Sequence, residues 1–225
     1  MKERILERID GLCAWTSADI DGKSTFVFEL DAGVLPTIQK SIHAVKAQGL
    51  GVEETTLADF PLTEMSADLR TIKRRLDEEH GLVIVRSFPV NDWSSEDIEY
   101  LYWAIGLHLG KAANQSVLGD RLGHVVDVTD VDPNARAYRS QRELSLHNDM
   151  GEYHGMLCIG APKSGGASRY ASSIAVHNIM REEAPHHLER LYEGFPLYRL
   201  GEEGPGELPY TPHRVPIFSS CNCLL

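Results

Sequence analysis

The chain has 225 residues, 42% of them hydrophobic and 24% charged, with a formal net charge of −11. This is an ordinary soluble globular composition, long enough for one large domain. The acidic excess comes without any basic stripe and excludes a nucleic-acid binder, while the longest clean apolar run, Leu82 to Val85, is far too short to cross a bilayer.

The first residues, Met1 to Arg8, mix both signs of charge and lack the apolar stretch of a secretion signal. Ser24 to Leu30 alternates, with Phe26, Phe28 and Leu30 on one face, and predicts a strand. Pro36 then opens a helix whose stripe is Leu35, Ile38, Ile42 and Val45, closed by Gly49. Ser66 caps a second helix with Leu69, Ile72 and Leu76 on one side, ending at His80 and Gly81. Leu82 to Val85 reads as a buried strand. Ser94, with Asp97 three residues on, starts a third helix carrying Ile98, Leu101, Tyr102, Ile105 and Leu109 and stopping at Gly110. Tyr102 and Trp103 are expected in the core, and His108 and His124 in structural or exposed positions.

After Gly110 the character changes. Strand-like pieces alternate with turn residues over His124 to Val128, around His147, over Tyr153 to Ile159 and over Ser168 to Ser172. A helical segment with Val176, Ile179 and Met180 and then Leu188, Leu191 and Tyr192 interrupts them, before further strand-like pieces at Pro196 to Leu200 and Pro209 to Phe218. Helices first and many short strands later predict a mainly β fold with flanking helices. The expected organisation is one domain over 1–225, with a helical flank over about 1–110 and a partial core over about 111–225 that is an all-β barrel or jelly roll.

Within the second half, Leu144-Ser145-Leu146-His147-Asn148-Asp149 sets a histidine and an aspartate two residues apart. On an extended segment, residues i and i+2 share a face, so His147 and Asp149 aim an imidazole and a carboxylate at one point. That is two-thirds of the 2-His-1-carboxylate set that holds non-haem Fe(II). The same pattern also suits a hydrogen-bonded surface pair. His154, seven residues beyond His147, faces the opposite way on a regular strand and is at most a pocket residue, with Arg86, Tyr153 and Arg169. His186 and His187 are adjacent and point apart on a helix. Gly201, Gly204 and Gly206 do not match a dinucleotide fingerprint, the stretch from Gly106 to Ala112 misses the phosphate-loop spacing, and no nucleophile elbow is present. The four cysteines, Cys13, Cys158, Cys221 and Cys223, form no disulfide framework. Cys158 is expected to be a buried thiol, Cys221 and Cys223 lack partners for a zinc site, and a reducing cytoplasmic setting is expected.

In order, Gly81 to Val90, Tyr102 to Gly110, Leu146-His147-Asn148-Asp149 and Lys163 to Ser168 resemble the TauD/TfdA family of Fe(II)- and 2-oxoglutarate-dependent dioxygenases. The resemblance covers about residues 60 to 218. It implies a double-stranded β-helix, a jelly roll of cupin-like type, with His147 and Asp149 as catalytic iron ligands. It also implies that Ser168, in Gly165-Gly166-Ala167-Ser168, helps hold the 2-oxoglutarate carboxylate. Fe(II), 2-oxoglutarate as cosubstrate and O2 follow from it, as does a small organic substrate, with no nucleic-acid or membrane partner. A homo-oligomer is compatible with the sequence.

The family often has Thr between the histidine and aspartate, where this chain has Asn148. The family's distal histidine ligand and its 2-oxoglutarate arginine come later than the 150–225 stretch provides for. His213 is the best substitute by position. The chain is therefore expected to be a C-terminally truncated member with an incomplete fold. The alternative to an active dioxygenase is an inactive jelly-roll fragment, acting at most as a binding or interaction module.

Overall fold

The stripe Ile38, Ile42 and Val45 winds into α1 (Leu35–Lys46), where Pro36 supplies a preset first turn and all three stripe residues are buried. The computed structural model describes residues 4–115, 119–131, 139–149, 151–199 and 203–220. Their contacts group into two compact units. One comprises Val27–Arg74 and Val83–Tyr170; the other comprises Met1–Phe26, Arg75–Leu82 and Ala171–Leu225.

In the first of these units, β1 (Val27–Glu29) pairs in parallel with β2 (Ile84–Arg86), in the register Val27 to Ile84, Phe28 to Val85 and Glu29 to Arg86. A parallel pair needs a long crossover, and here the crossover carries α1 and α2 (Ser66–Glu78). Residues 24–26, expected to begin the first strand, belong instead to a short 3-10 turn, Gly22–Phe26. α3 (Ser95–Leu109) follows β2. Its cap is the one the spacing predicted, with the Asp97 N–H donating to Ser94 Oγ at 3.1 Å. α1 packs on α3. Ile38, Ile42, Phe60, Met65, Ile72, Ile98 and Leu101 form the dense part of this core, each at most 3% exposed.

Trp103 is buried as expected, and Tyr102 is half-buried. His108 Nε2 lies 2.8 Å from the Phe60 carbonyl and His124 Nε2 lies 2.9 Å from Glu99, both structural roles. A polar clasp joins the two helices. Buried Asp97 accepts from Lys46 Nζ at 2.9 Å and lies 3.3 Å from His43 Nε2. Burial alone would raise the Asp97 pKa, but the hydrogen bonds from Lys46 and His43 outweigh it and hold the carboxyl below its ordinary range.

The remainder of this unit departs from expectation. Among the described residues, 124–128, 145–149, 153–159 and 168–172 form no strand. The described chain contains five α-helices and a two-stranded sheet, so its mainly β character is not realised there. The physical reason is that a strand exists only through a ladder of partner groups. These pieces have the alternation but no continuous partner row, and Val125, Val126, Leu144, Leu146, Met156 and Ile159 are exposed. Cys158, expected as a buried thiol, is exposed for the same reason.

The second unit is built on α4 (Ser173–Glu183) and α5 (Pro185–Glu193), separated at Ala184. Val176 and Ile179 are among the apolar residues that predict the helical segment. Both are exposed, and Ala175, His177 and Asn178 are buried instead. The N-terminal segment explains the rotation, because its backbone requires polar partners. Asn178 donates to the Ile9 carbonyl at 2.7 Å and accepts from the Ile9 N–H at 3.0 Å. His177 Nε2 lies 2.9 Å from the Ile5 carbonyl, which also accepts from Tyr192 at 3.0 Å. Phe218 is buried edge-on to the His177 ring at 5.2 Å. The His186 and His187 rings do not point apart as the adjacency suggested; their centroids are 4.0 Å from each other.

The strand-like pieces after Gly194 reduce to two antiparallel bridges, Phe195 to Val215 and Tyr198 to Tyr210. Leu200, Gly201, Cys221 and Cys223 lie outside the described residues. No helix among the described residues is long and apolar enough to cross a membrane.

Candidate functional site

The candidate site is built on the coil from Leu144 to Asp149 and its continuation from Gly151 to Ile159, all in the unit that contains α3. His147 Nδ1 sits 2.7 Å from the Ser145 carbonyl oxygen. A carbonyl only accepts, so this contact assigns the ring proton to Nδ1. In the neutral ring Nε2 is then a bare lone pair. That lone pair faces Asp149, with Nε2 to Oδ1 at 3.7 Å. Two acceptors facing each other repel unless a cation or a proton lies between them. Two donor atoms sharing one ion through bonds of about 2.1 Å sit between about 3 and 4 Å apart. His147 and Asp149 thus have the chemistry and spacing to occupy two positions on one metal ion. Each is about half exposed, so an ion can reach them.

The expected shared direction of His147 and Asp149 is present, although the segment is not a strand. His154 is not where strand geometry would put it. Its Nε2 lies 3.5 Å from Asp149 Oδ2, so both imidazoles flank one carboxylate. The alternation argument fails because the chain bends at Gly151 and Glu152, with Gly151 at φ 122°, a backbone region that favours glycine. Gly151 itself was the available signal, since an isolated glycine in a strand-like run marks a bend. Neighbours on each side fix the position of His154. Tyr153 Oη accepts from Lys73 Nζ of α2 at 2.5 Å, and the same ammonium lies 4.8 Å from the Tyr153 ring centroid. Gly155 packs on Tyr102 of α3 so closely that a Cβ there would stand 2.8 Å from the hydroxyl. Burial raises the pKa of that Tyr102 hydroxyl, which therefore stays neutral.

Ser168 is exposed and shares no hydrogen bond with the His147 and Asp149 pair. It follows two consecutive glycines with positive φ, Gly165 at 73° and Gly166 at 70°. A Cβ on Gly166 would stand 2.6 Å from Pro162 Cγ, so this turn requires glycine there. Arg86 and Arg169 make ion pairs with Glu29 and Glu143. His213 is exposed and belongs to the other compact unit. Among the described residues, no group of three or more His, Cys, Asp or Glu is arranged to hold a metal ion. His147 and Asp149 are thus two possible donors without a third arranged beside them among the described residues.

The sequence model of the family described as "Taurine catabolism dioxygenase TauD, TfdA family" matches residues 43–219, most of the chain. The chain belongs to the TauD/TfdA family. Among proteins of this kind, it is 28% identical over 212 residues to FR-33289 synthase of Streptomyces rubellomurinus, covering 93% of this chain and 62% of the relative. It is 23% identical over 202 residues to the taurine hydroxylase-like protein SAT17 of Stachybotrys chartarum, covering 84% of this chain and 52% of that relative. The chain thus spans somewhat over half the length of these two TauD/TfdA relatives.

Proposed function

We propose that this chain is a non-haem Fe(II)- and 2-oxoglutarate-dependent dioxygenase that hydroxylates a small organic substrate. The observation that carries this reading is the His147 imidazole. Its Nδ1 is committed to the Ser145 carbonyl and its Nε2 is turned to Asp149 Oδ1. Family membership supports the same chemistry. Fe(II), when bound, supplies the redox and Lewis-acid chemistry that couples 2-oxoglutarate decarboxylation to substrate oxidation by O2.

The chain's own residues do the positioning. His147 would present Nε2 as the nitrogen donor, its Nδ1 being held by the Ser145 carbonyl, and Asp149 would present an oxygen that offsets part of the ion's charge. Ser168, set by the rigid Gly165 and Gly166 turn, offers a hydroxyl donor to the 2-oxoglutarate carboxylate. The half-exposed setting leaves the remaining ligand positions open to cosubstrate. The name of one relative, taurine hydroxylase-like protein SAT17, puts small aminosulfonates first among substrates to test.

The test is succinate formation from 2-oxoglutarate by the 225-residue chain with Fe(II) under air, across a panel of small acids including taurine. Substrate-dependent succinate that disappears in His147→Ala supports the reading; none with any substrate refutes turnover by this chain. A second reading is favoured by one observation, that the described residues supply no three-donor set. On it, the chain is catalytically inactive, binds metal weakly and serves as a binding module. Fe(II) titration separates the two, since tight one-to-one binding lost in His147→Ala contradicts the second.

A further inference from the structure

We propose that His154 is a positioning residue for the metal-binding carboxylate, engaging Asp149 through Oδ2 so that Oδ1 is left for the ion. The inference rests on the reading of His147 and Asp149 as iron ligands.

The two oxygens of Asp149 have different neighbours. Oδ1 lies 3.7 Å from His147 Nε2, and Oδ2 lies 3.5 Å from His154 Nε2. The terminal torsion of an aspartate is broad and has no strong intrinsic preference. A carboxylate on a bend is therefore free to turn unless something holds its second oxygen. Carboxylates that bind metals are characteristically held through an outer partner, and loss of such partners weakens the metal site. His154 is placed to be that partner. Its Nε2 lies 3.5 Å from Oδ2, and in the tautomer that carries the proton there it is directed to donate toward that oxygen.

The backbone around His154 is built to keep it there. The chain bends at Gly151 and Glu152, with Gly151 at φ 122°, and the His154 side chain stands beside that of Asp149. On one side, Tyr153 is tied to Lys73 of α2 through its hydroxyl at 2.5 Å and its ring face. On the other side, Gly155 is seated against the Tyr102 hydroxyl of α3, where no side chain fits without displacement. The imidazole between these anchors is itself about half exposed. An exposed, polar side chain held between two fixed neighbours and directed at a carboxylate contributes little to a core. Its place is explained by what it does to Asp149.

The test is titration with Co(II), a spectroscopic stand-in for Fe(II), of the 225-residue parent, His154→Ala, His154→Gln and His147→Ala, each with helix content checked by far-UV circular dichroism. His154→Ala should weaken Co(II) binding by about 10- to 100-fold. The d–d spectrum at saturation should match the parent, because the atoms on the metal are unchanged. His154→Gln, which keeps an N–H donor, should recover part of the loss. Parent binding abolished in His147→Ala but unaltered in His154→Ala overturns the positioning role and leaves the iron reading intact. A changed spectrum in His154→Ala makes His154 a direct ligand and also overturns the proposal. Failure of the parent to bind Co(II) overturns both readings.

Discussion

Replacing Gly155 by alanine tests whether α3 really fixes the chain beside His154. The added methyl would stand 2.8 Å from Tyr102 Oη, well inside the 3.4 Å at which ordinary contact begins. Its next neighbours, Tyr102 Cζ at 3.6 Å and Cε2 at 3.8 Å, are at normal contact distance. Gly155 does not lie in the positive-φ region, so the backbone itself accepts alanine. The whole penalty therefore comes from one oxygen atom. Overpacking of this kind costs about 1–3 kcal/mol. Because Tyr102 is half-buried at the far end of a side chain, the lower part of that range is expected. Tyr102→Phe removes the offending oxygen and should abolish most of the penalty. The assay is urea unfolding of the parent, Gly155→Ala, Tyr102→Phe and the double variant. A positive coupling of about 1 kcal/mol is expected, with Gly155→Ala nearly neutral in the phenylalanine background. Strict additivity of the two substitutions would refute the contact and, with it, the claim that α3 anchors this segment.

Three further outcomes follow from the packing. Asp97 is held below its ordinary range by Lys46 and His43 despite burial. A folded pKa below the unfolded one gives stability that is present above the ordinary value of 3.8 and is lost as pH falls through the lower folded value. Acid unfolding should therefore steepen below about pH 4, and Asp97→Asn should flatten that limb in pH-dependent urea titrations. Leu101→Ala empties a fully buried site and should cost about 2–5 kcal/mol, whereas Ile179→Ser, at an exposed position, should change unfolding free energy by no more than about 0.5 kcal/mol. Ser94→Ala removes the N-cap of α3 and should cost about 1 kcal/mol in the same measurement.

What the sequence could specify was local. The stripe Ile38, Ile42 and Val45 and the pairing of Ser94 with Asp97 declare α1 and α3, because helix periodicity and capping depend on residues three to four apart. The direction shared by His147 and Asp149 is equally local, since two residues on an extended segment face one way. Family membership was legible too, because it rests on the order of short motifs along the chain. Long-range partnership was not. Val176 and Ile179 have the spacing of a buried face, yet Asn178 and His177 turn inward because the N-terminal segment's carbonyls need donors. The run from Tyr153 to Ile159 has the composition of a strand and forms none, since a ladder must be completed by residues elsewhere. That departure gives the site its third side chain. His154 reaches Asp149 only because the chain bends at Gly151 and is seated on Lys73 and Tyr102, residues distant in sequence on two helices. Spacing along the chain fixed which two side chains, His147 and Asp149, share a direction, and tertiary contacts decided what stands behind them.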